Sequence, residues 1–194
     1  MSKRQTRSQT PSQTIGPFFH DAMFRGGESL LTNNETKGQR IRVEGQLLDG
    51  AGNGVSDALI EIWQANAEGR YAHTADDQAK ALDASFSGYG RAASDREGRF
   101  QFDTIKPGPV PGLGNSLQAP HLNVTVFARG MLNHVLTRLY FADEDSNAAD
   151  PVLNALGSAE DRAGLIATAS DRSGVPVYSL DIHLQGEKET VFFD

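Results

Sequence analysis

The segment IRVEGQLL, residues 41–48, alternates between two kinds of side chain. Every second residue from Ile41 to Gly45 is apolar or small, and the residues between them are charged or polar. A period of two is the pattern of a β-strand that is buried on one face. The segment therefore predicts a half-buried strand that ends at Leu47-Leu48, before the glycine-rich turn at residues 49–54.

Several other segments carry strand signals, and turns rich in Gly, Asn and Pro separate them. One region instead indicates helix, because Pro151 suits a first helical position and Ser158 with Asp161 resembles a capping box before residues 163–169. Short strands with frequent turns predict an all-β fold, a two-sheet β-sandwich with long loops and one or two short helices. The further predicted strands are residues 58–64, 99–102, 121–127, 136–141, 178–184 and 190–193.

The chain has 194 residues, a length that suits one domain. Residues 1–13 are polar and rich in turn formers, so we expect an N-terminal arm there and the sandwich domain over residues 14–194. Residues 72–90 form a long irregular stretch. Because loops of that length in a compact domain are usually functional, the function is expected to lie in the loops.

The composition excludes several functional classes. A net charge of −7 argues against nucleic acid or an anionic membrane as the main partner. The absence of cysteine excludes disulfides and thiolate chemistry, and it fits a reducing cytoplasm. No apolar run approaches the roughly 18 residues of a membrane-spanning helix, and the N-terminus lacks the apolar stretch of a secretory signal. These features predict a cytoplasmic protein.

Common catalytic motifs are absent from the sequence. There is no phosphate-binding loop, no dinucleotide fingerprint after a strand, no nucleophile elbow and no His-x-x-x-His zinc helix. The histidines are widely spaced, so each by itself is interpreted as a hydrogen-bonded structural residue. They are His20, His73, His121, His134 and His183.

Four short strings in a fixed order are more specific: EIWQAN at 61–66, GRY at 69–71, TIKPGP at 104–109 and RLYF at 138–141. Together they resemble the intradiol ring-cleaving dioxygenases, most closely the members that cleave protocatechuate. The resemblance implies an oxidoreductase that uses Fe(III) and O₂ to open 3,4-dihydroxybenzoate between its hydroxyl-bearing carbons. The implied product is 3-carboxy-cis,cis-muconate, in the β-ketoadipate pathway of aromatic catabolism.

The iron-bearing chain of this family holds the metal with two Tyr and two His, and the matching positions are Tyr71, Val110, His121 and Asn123. Ferric iron favours anionic oxygen and imidazole, whereas Val110 offers no ligand atom and Asn123 only a neutral amide. The resemblance therefore implies a non-catalytic alpha subunit with a vestigial metal site and no metal of its own. Its implied partner is an iron-bearing beta subunit, which holds the Fe(III) within a large alpha-beta assembly.

The resemblance also implies that the alpha chain forms part of the wall of the beta chain's substrate pocket. The matching positions are Thr14, Gly16, Pro17 and Arg129. A guanidinium can fork onto a carboxylate such as that of protocatechuate, and a glycine lets the arm approach a flat ring closely. Two simpler interpretations stay open: Arg129 paired with a local acid, and Gly16-Pro17 as an ordinary turn.

Two other functions are compatible with the sequence. One is a self-sufficient intradiol dioxygenase with a rearranged ligand set, for which His73 and Tyr89 are the nearest candidate ligands. The other is a non-catalytic β-sandwich that binds carbohydrate or protein. Glu61, Arg91 and Arg138 are expected to form a buried ion pair across the sandwich.

Overall fold

The computed structural model describes Thr14, Gly16 and residues 22–193. The predicted arm and Pro17 lie outside the described residues, so the domain boundary at residue 14 stays a prediction. Within the described part the chain is dominated by short strands. They are β1 (Arg40–Leu48), β2 (Leu59–Trp63), β3 (Tyr89–Ala93), β4 (Arg99–Ile105), β5 (Val110–Pro111), β6 (Leu117–Gln118), β7 (His121–Phe127), β8 (Val135–Phe141), β9 (Ile166–Arg172), β10 (Val175–Ser179) and β11 (Ile182–His183).

Nine of these strands form one continuous hydrogen-bonded path in the order β11-β1-β10-β9-β8-β7-β2-β3, with β4 on the other edge of β1. β9 joins the two halves, because its first residues pair with β8 and the rest pair with β10. The remaining strands, β5 and β6, form a separate antiparallel ladder.

The two halves of this path pack face to face over one core. Ile41 and Val43 of β1 belong to the same buried cluster as Val124 and Val126 of β7, at the other side of the sandwich. The alternation at residues 41–48 thus has the predicted role, since the residues between these core positions are only half-buried. The fold is the all-β sandwich that the sequence predicts.

The helical prediction was only partly correct. Between residues 145 and 163 the helical elements are a 3₁₀ turn (Asp145–Ala149), α1 (Pro151–Ala155) and α2 (Ala159–Ala163). Ser158 caps α2, because its Oγ accepts a hydrogen bond from the N–H of Asp161 at 2.9 Å. The helix predicted over residues 163–169 is wrong, since β9 begins at Ile166. Pairing with β8 and β10 determines this conformation, and that pairing is invisible to local sequence.

The strand predicted at residues 190–193 is also absent. Only an isolated bridge between Phe193 and Leu136 joins that segment to the sheet.

None of the helices in the described part of the chain has the length and hydropathy of a membrane-spanning segment.

Candidate functional site

A row of polar and aromatic side chains crosses the outer face of the sheet formed by β8, β7, β2 and β3. Trp63 on β2 stands opposite Asn123 on β7, and Asn123 stands opposite Arg138 on β8. Two residues before Asn123 on β7, His121 stands opposite Tyr140 on β8. Alternation places these residues away from the core, because their neighbours in sequence face inward.

Two loops cover this row and turn it into a pocket. The turn at residues 66–70 packs against the loop before β5 so closely that a Cβ on Gly69 would lie 2.0 Å from the carbonyl oxygen of Pro109. Gly69 also has a φ of +80°, a backbone conformation that favours glycine. This contact fixes the start of the 71–78 loop next to β5, and so places Tyr71 and Val110 at one cavity.

The resulting cavity has a volume of about 560 Å³. Of the four positions predicted to form a vestigial metal site, Tyr71, Val110 and His121 line this cavity, and Asn123 contacts Tyr71 directly. Other lining residues were not singled out for this site from the sequence, among them Trp63, Gln118 and Arg138. The sole tryptophan of the chain, Trp63, thus lies in the pocket wall.

The phenol of Tyr71 is half-buried and hydrogen-bonded. Its hydroxyl accepts a hydrogen bond from Nδ2 of Asn123 at 3.1 Å, and its ring stacks beside that of Trp63 with centroids 6.0 Å apart. Burial raises the pKa of Tyr71, although the Asn123 hydrogen bond and the charge of Arg138 act in the opposite direction. Tyr71 is therefore a neutral phenol at neutral pH.

His121 is almost fully buried, with an exposed fraction of 3%. Its Nδ1 lies 2.8 Å from the carbonyl oxygen of Ala119, so Nδ1 carries the proton and donates it, and Nε2 keeps its lone pair. Burial, followed by the charge of Arg138, lowers the pKa of His121 to about 4. The ring is thus neutral over the physiological pH range.

The loop segment around Ala119 is held by a buried carboxylate. Asp150 is completely buried; it accepts hydrogen bonds from the N–H of Ala119 at 2.7 Å and from two N–H groups at the start of α1. The hydroxyl of Tyr140 also donates to it at 3.3 Å. Asp150 therefore fixes both the carbonyl that orients His121 and the phenol beside Arg138.

Arg138 is the site residue whose role the sequence analysis missed. Its Nη1 donates to Oε1 of Gln118 at 2.6 Å and to the hydroxyl of Tyr140 at 3.1 Å, both of them neutral groups. The predicted buried ion pair across the sandwich is not found: Arg91 pairs with Glu61 at 2.8 Å, but the two are neighbours on β3 and β2 of one sheet, both are only half-buried, and Arg138 takes no part. Among the described residues, Arg138 has no acidic partner. Within the described part of the chain, Arg138 thus forms no direct salt bridge, although Asp76 and Asp77 line the same pocket.

The predicted substrate-wall residues lie at the opposite end of β7. Thr14 and Arg129 are exposed; Oγ1 of Thr14 accepts the N–H of Gly130 at 3.2 Å, and Nη2 of Arg129 approaches Oγ of Ser56 at 3.3 Å. Gly16 is exposed, and a Cβ there would meet nothing within 4 Å. The chain therefore places Thr14 next to the Arg129-Gly130 corner, roughly 20 Å along the strand from His121.

The two alternative ligands, His73 and Tyr89, are already engaged. Nδ1 of His73 accepts the N–H of Ala75 at 3.0 Å, so the proton of the neutral ring is on Nε2. The hydroxyl of Tyr89 donates to Glu61 and accepts from Nε of Arg91 at 2.7 Å. Neither residue presents a free lone pair or phenolate to the cavity.

Across residues 22–193, no group of three or more His, Cys, Asp or Glu side chains is arranged to hold a metal ion.

Comparison with known proteins gives the family. The dioxygenase family Dioxygenase_C matches residues 15–186. The chain is 43% identical over 202 residues to the protocatechuate 3,4-dioxygenase alpha chain of Burkholderia cepacia, covering 97% of this chain and 98% of that one. It is 35% identical over 185 residues to the beta chain from the same organism, covering 92% of this chain and 77% of that one.

A solved structure has the same fold. The dioxygenase domain of a dioxygenase and carbohydrate-binding protein fusion from Streptomyces sp. SirexAA-E superposes with a TM-score of 0.62 at 24% identity, covering 92% of this chain and 99% of that one. With the family match over most of its length, the chain belongs to the intradiol ring-cleaving dioxygenases, as the motifs of its sequence predict.

Proposed function

We propose that this chain is the alpha subunit of a protocatechuate 3,4-dioxygenase and that it holds no iron itself. It would act with an iron-bearing beta subunit to cleave 3,4-dihydroxybenzoate with O₂. The observation that carries this proposal is the set of atoms at the four vestigial positions. They supply one protonated phenol, one imidazole, one apolar side chain and one amide.

This set does not fit a ferric ion. Val110 has no ligand atom, and the amide of Asn123 turns its N–H toward the oxygen of Tyr71, which is the atom a metal would need. The nearby guanidinium of Arg138 adds a fixed positive charge where a trivalent cation would have to enter. Two potential ligands beside a like charge fall short of a normal coordination set.

The contribution of this chain to catalysis would then come from the other end of β7. Arg129 is exposed and unpaired with any acid among the described residues, so its guanidinium is free to contact the carboxylate of a substrate bound to the partner. Thr14 is tied to the same corner through Gly130. Gly16 lies two residues further along the segment that would extend over the partner's pocket, with Pro17 next to it.

The competing enzyme hypothesis, a self-sufficient dioxygenase with rearranged ligands, finds no support in this geometry. His73 and Tyr89 would both have to give up existing hydrogen bonds before they could coordinate a metal. The binding-module hypothesis is not favoured by the aromatic residues of this pocket, since Trp63 and Tyr71 stack against each other inside it and do not form an exposed platform.

Co-purification with metal analysis of each separated chain tests the proposal. Tagged full-length chain should co-purify with a second, iron-containing intradiol subunit from its native extract, and the iron should stay with that subunit after separation. Stoichiometric iron on this chain alone, with the colour of tyrosinate bound to Fe(III), would refute the assignment.

A further inference from the structure

The pocket around Arg138 is a built cavity that the proposed function does not use. Its volume of about 560 Å³ lies within the range of small-molecule sites. It contains a guanidinium that is hydrogen-bonded only to neutral groups of the described chain, a neutral imidazole and an aromatic wall.

We propose that this pocket binds a small aromatic monocarboxylate, with the guanidinium of Arg138 as the anion contact and the rings of Trp63 and Tyr71 as the apolar wall. The inference rests on the proposed function only in that this pocket holds no iron; the residues that it uses all belong to this chain and lie at the opposite end of β7 from Arg129.

The guanidinium is prepared for a bidentate contact. Within the described residues its hydrogen bonds, to Gln118 and Tyr140, both leave from Nη1, and Nη2 and Nε make none. The guanidinium also lies 5.9 Å from the ring centroid of Phe193. Gln118 and Tyr140 fix the plane of the group from one edge, and the opposite edge offers two N–H donors to a carboxylate.

The wall beside it suits a flat ring. Trp63 and Tyr71 are nearly parallel, with an interplanar angle of 13°, and the imidazole of His73 meets Trp63 edge-on with centroids 6.2 Å apart. Such an aromatic corner favours offset or edge-on contact with a further ring.

Two acidic residues that also line the pocket, Asp76 and Asp77, should disfavour a ligand with two negative charges. Asp76 is half-buried; its carboxylate accepts hydrogen bonds from the N–H groups of Tyr71 at 2.8 Å and Gln78 at 3.2 Å. Burial alone would raise its pKa, but these hydrogen bonds and the charge of Arg70 lower it, so it is an anion already satisfied by the loop. Asp77 is exposed at the rim. A second carboxylate on the ligand would meet these like charges, so monoanions should bind better than dianions.

The fluorescence of Trp63 gives a direct assay, because it is the only tryptophan of the chain and it lines the pocket. Full-length chain would be titrated with 4-hydroxybenzoate, with the neutral isostere 4-hydroxybenzamide and with the dianion terephthalate. We expect saturable quenching by 4-hydroxybenzoate, with affinity about tenfold or more above that of the amide. Terephthalate should bind more weakly than the monoacid.

Two variants assign the anion contact. Arg138→Gln should abolish the preference for the acid over the amide, and Arg138→Lys should retain part of it. Arg129→Gln is the matched control and should leave the titration unchanged. Equal affinity of wild-type chain for acid and amide would overturn the inference without any variant, as would a preference that survives in folded Arg138→Gln. A preference lost in Arg129→Gln instead would move the anion site to the substrate wall.

Discussion

The burial of His121 predicts a specific dependence of stability on pH. The pKa of His121 is about 4 in the folded chain, against an ordinary value of 6.5, because the ring is buried and lies near Arg138. When the chain unfolds, the imidazole recovers its ordinary pKa and takes up a proton at mildly acidic pH. The unfolded state therefore binds more protons than the folded state below about pH 6.5, and stability is lost as the pH falls.

The size of this effect follows from the same shift. A difference of about 2.5 pKa units, at 1.36 kcal/mol per unit, gives a total loss of about 3 kcal/mol once the pH has fallen to about 4. At about pH 5 the loss relative to about pH 8 is about 2 kcal/mol. That is a large part of the stability of an ordinary domain.

Urea denaturation of full-length chain at several pH values, for wild type and His121→Gln, isolates this contribution. Glutamine can still donate to the carbonyl of Ala119 but does not titrate, so the stability of the variant should fall about 2 kcal/mol less between about pH 8 and pH 5. His134→Gln, at an exposed histidine, controls for the loss of an imidazole as such. Parallel curves for wild type and His121→Gln would show that the ring is solvated or already charged in the folded state, and would refute the reasoning.

Two further outcomes are expected for the assembled enzyme. Arg129→Ala should raise KM for protocatechuate about tenfold, because it removes one charge-assisted contact of about 1.5 kcal/mol, and the iron content should not change. Arg99→Ala, at another exposed arginine, is the control. Unaltered kinetics in Arg129→Ala would show that Arg129 does not contact the substrate. Tyr71→Phe should leave the iron content of the assembly unchanged while the chain loses about 1 kcal/mol of stability with the hydrogen bond from Asn123, measured by urea denaturation. Iron lost together with the Tyr71 hydroxyl would mean that this phenol is a ligand after all.

Sequence patterns predict the parts of this fold that depend on local periodicity. In β1 the alternation places Ile41 and Val43 in the core because side chains on a strand must alternate between its faces. In contrast, local sequence does not predict β9. Most of its residues are exposed, and only pairing with two distant strands makes the segment extended. The capping by Ser158 was predictable, since a cap depends on three neighbouring residues alone.

The candidate site, too, was only partly predictable from the sequence. Motif resemblance predicted Tyr71, Val110, His121 and Asn123 as one group, and the fold places them around one cavity. Arg138 was assigned to an ion pair, although its position two residues before Tyr140 places both side chains on one face of β8. What the sequence lacks is the register between β7 and β8, which sets Arg138 opposite Asn123. Without that register, its charge could not be assigned to the pocket.

The two ends of β7 can therefore perform separate tasks. Between His121 and Phe127 the strand extends roughly 20 Å, which is more than twice the screening length of about 8 Å at physiological ionic strength. The charges of Arg138 and Arg129 accordingly act independently, one within a pocket of this chain and the other at a corner that faces outward. On the two proposals made above, one end of the strand would hold a small anion and the other end would serve a partner.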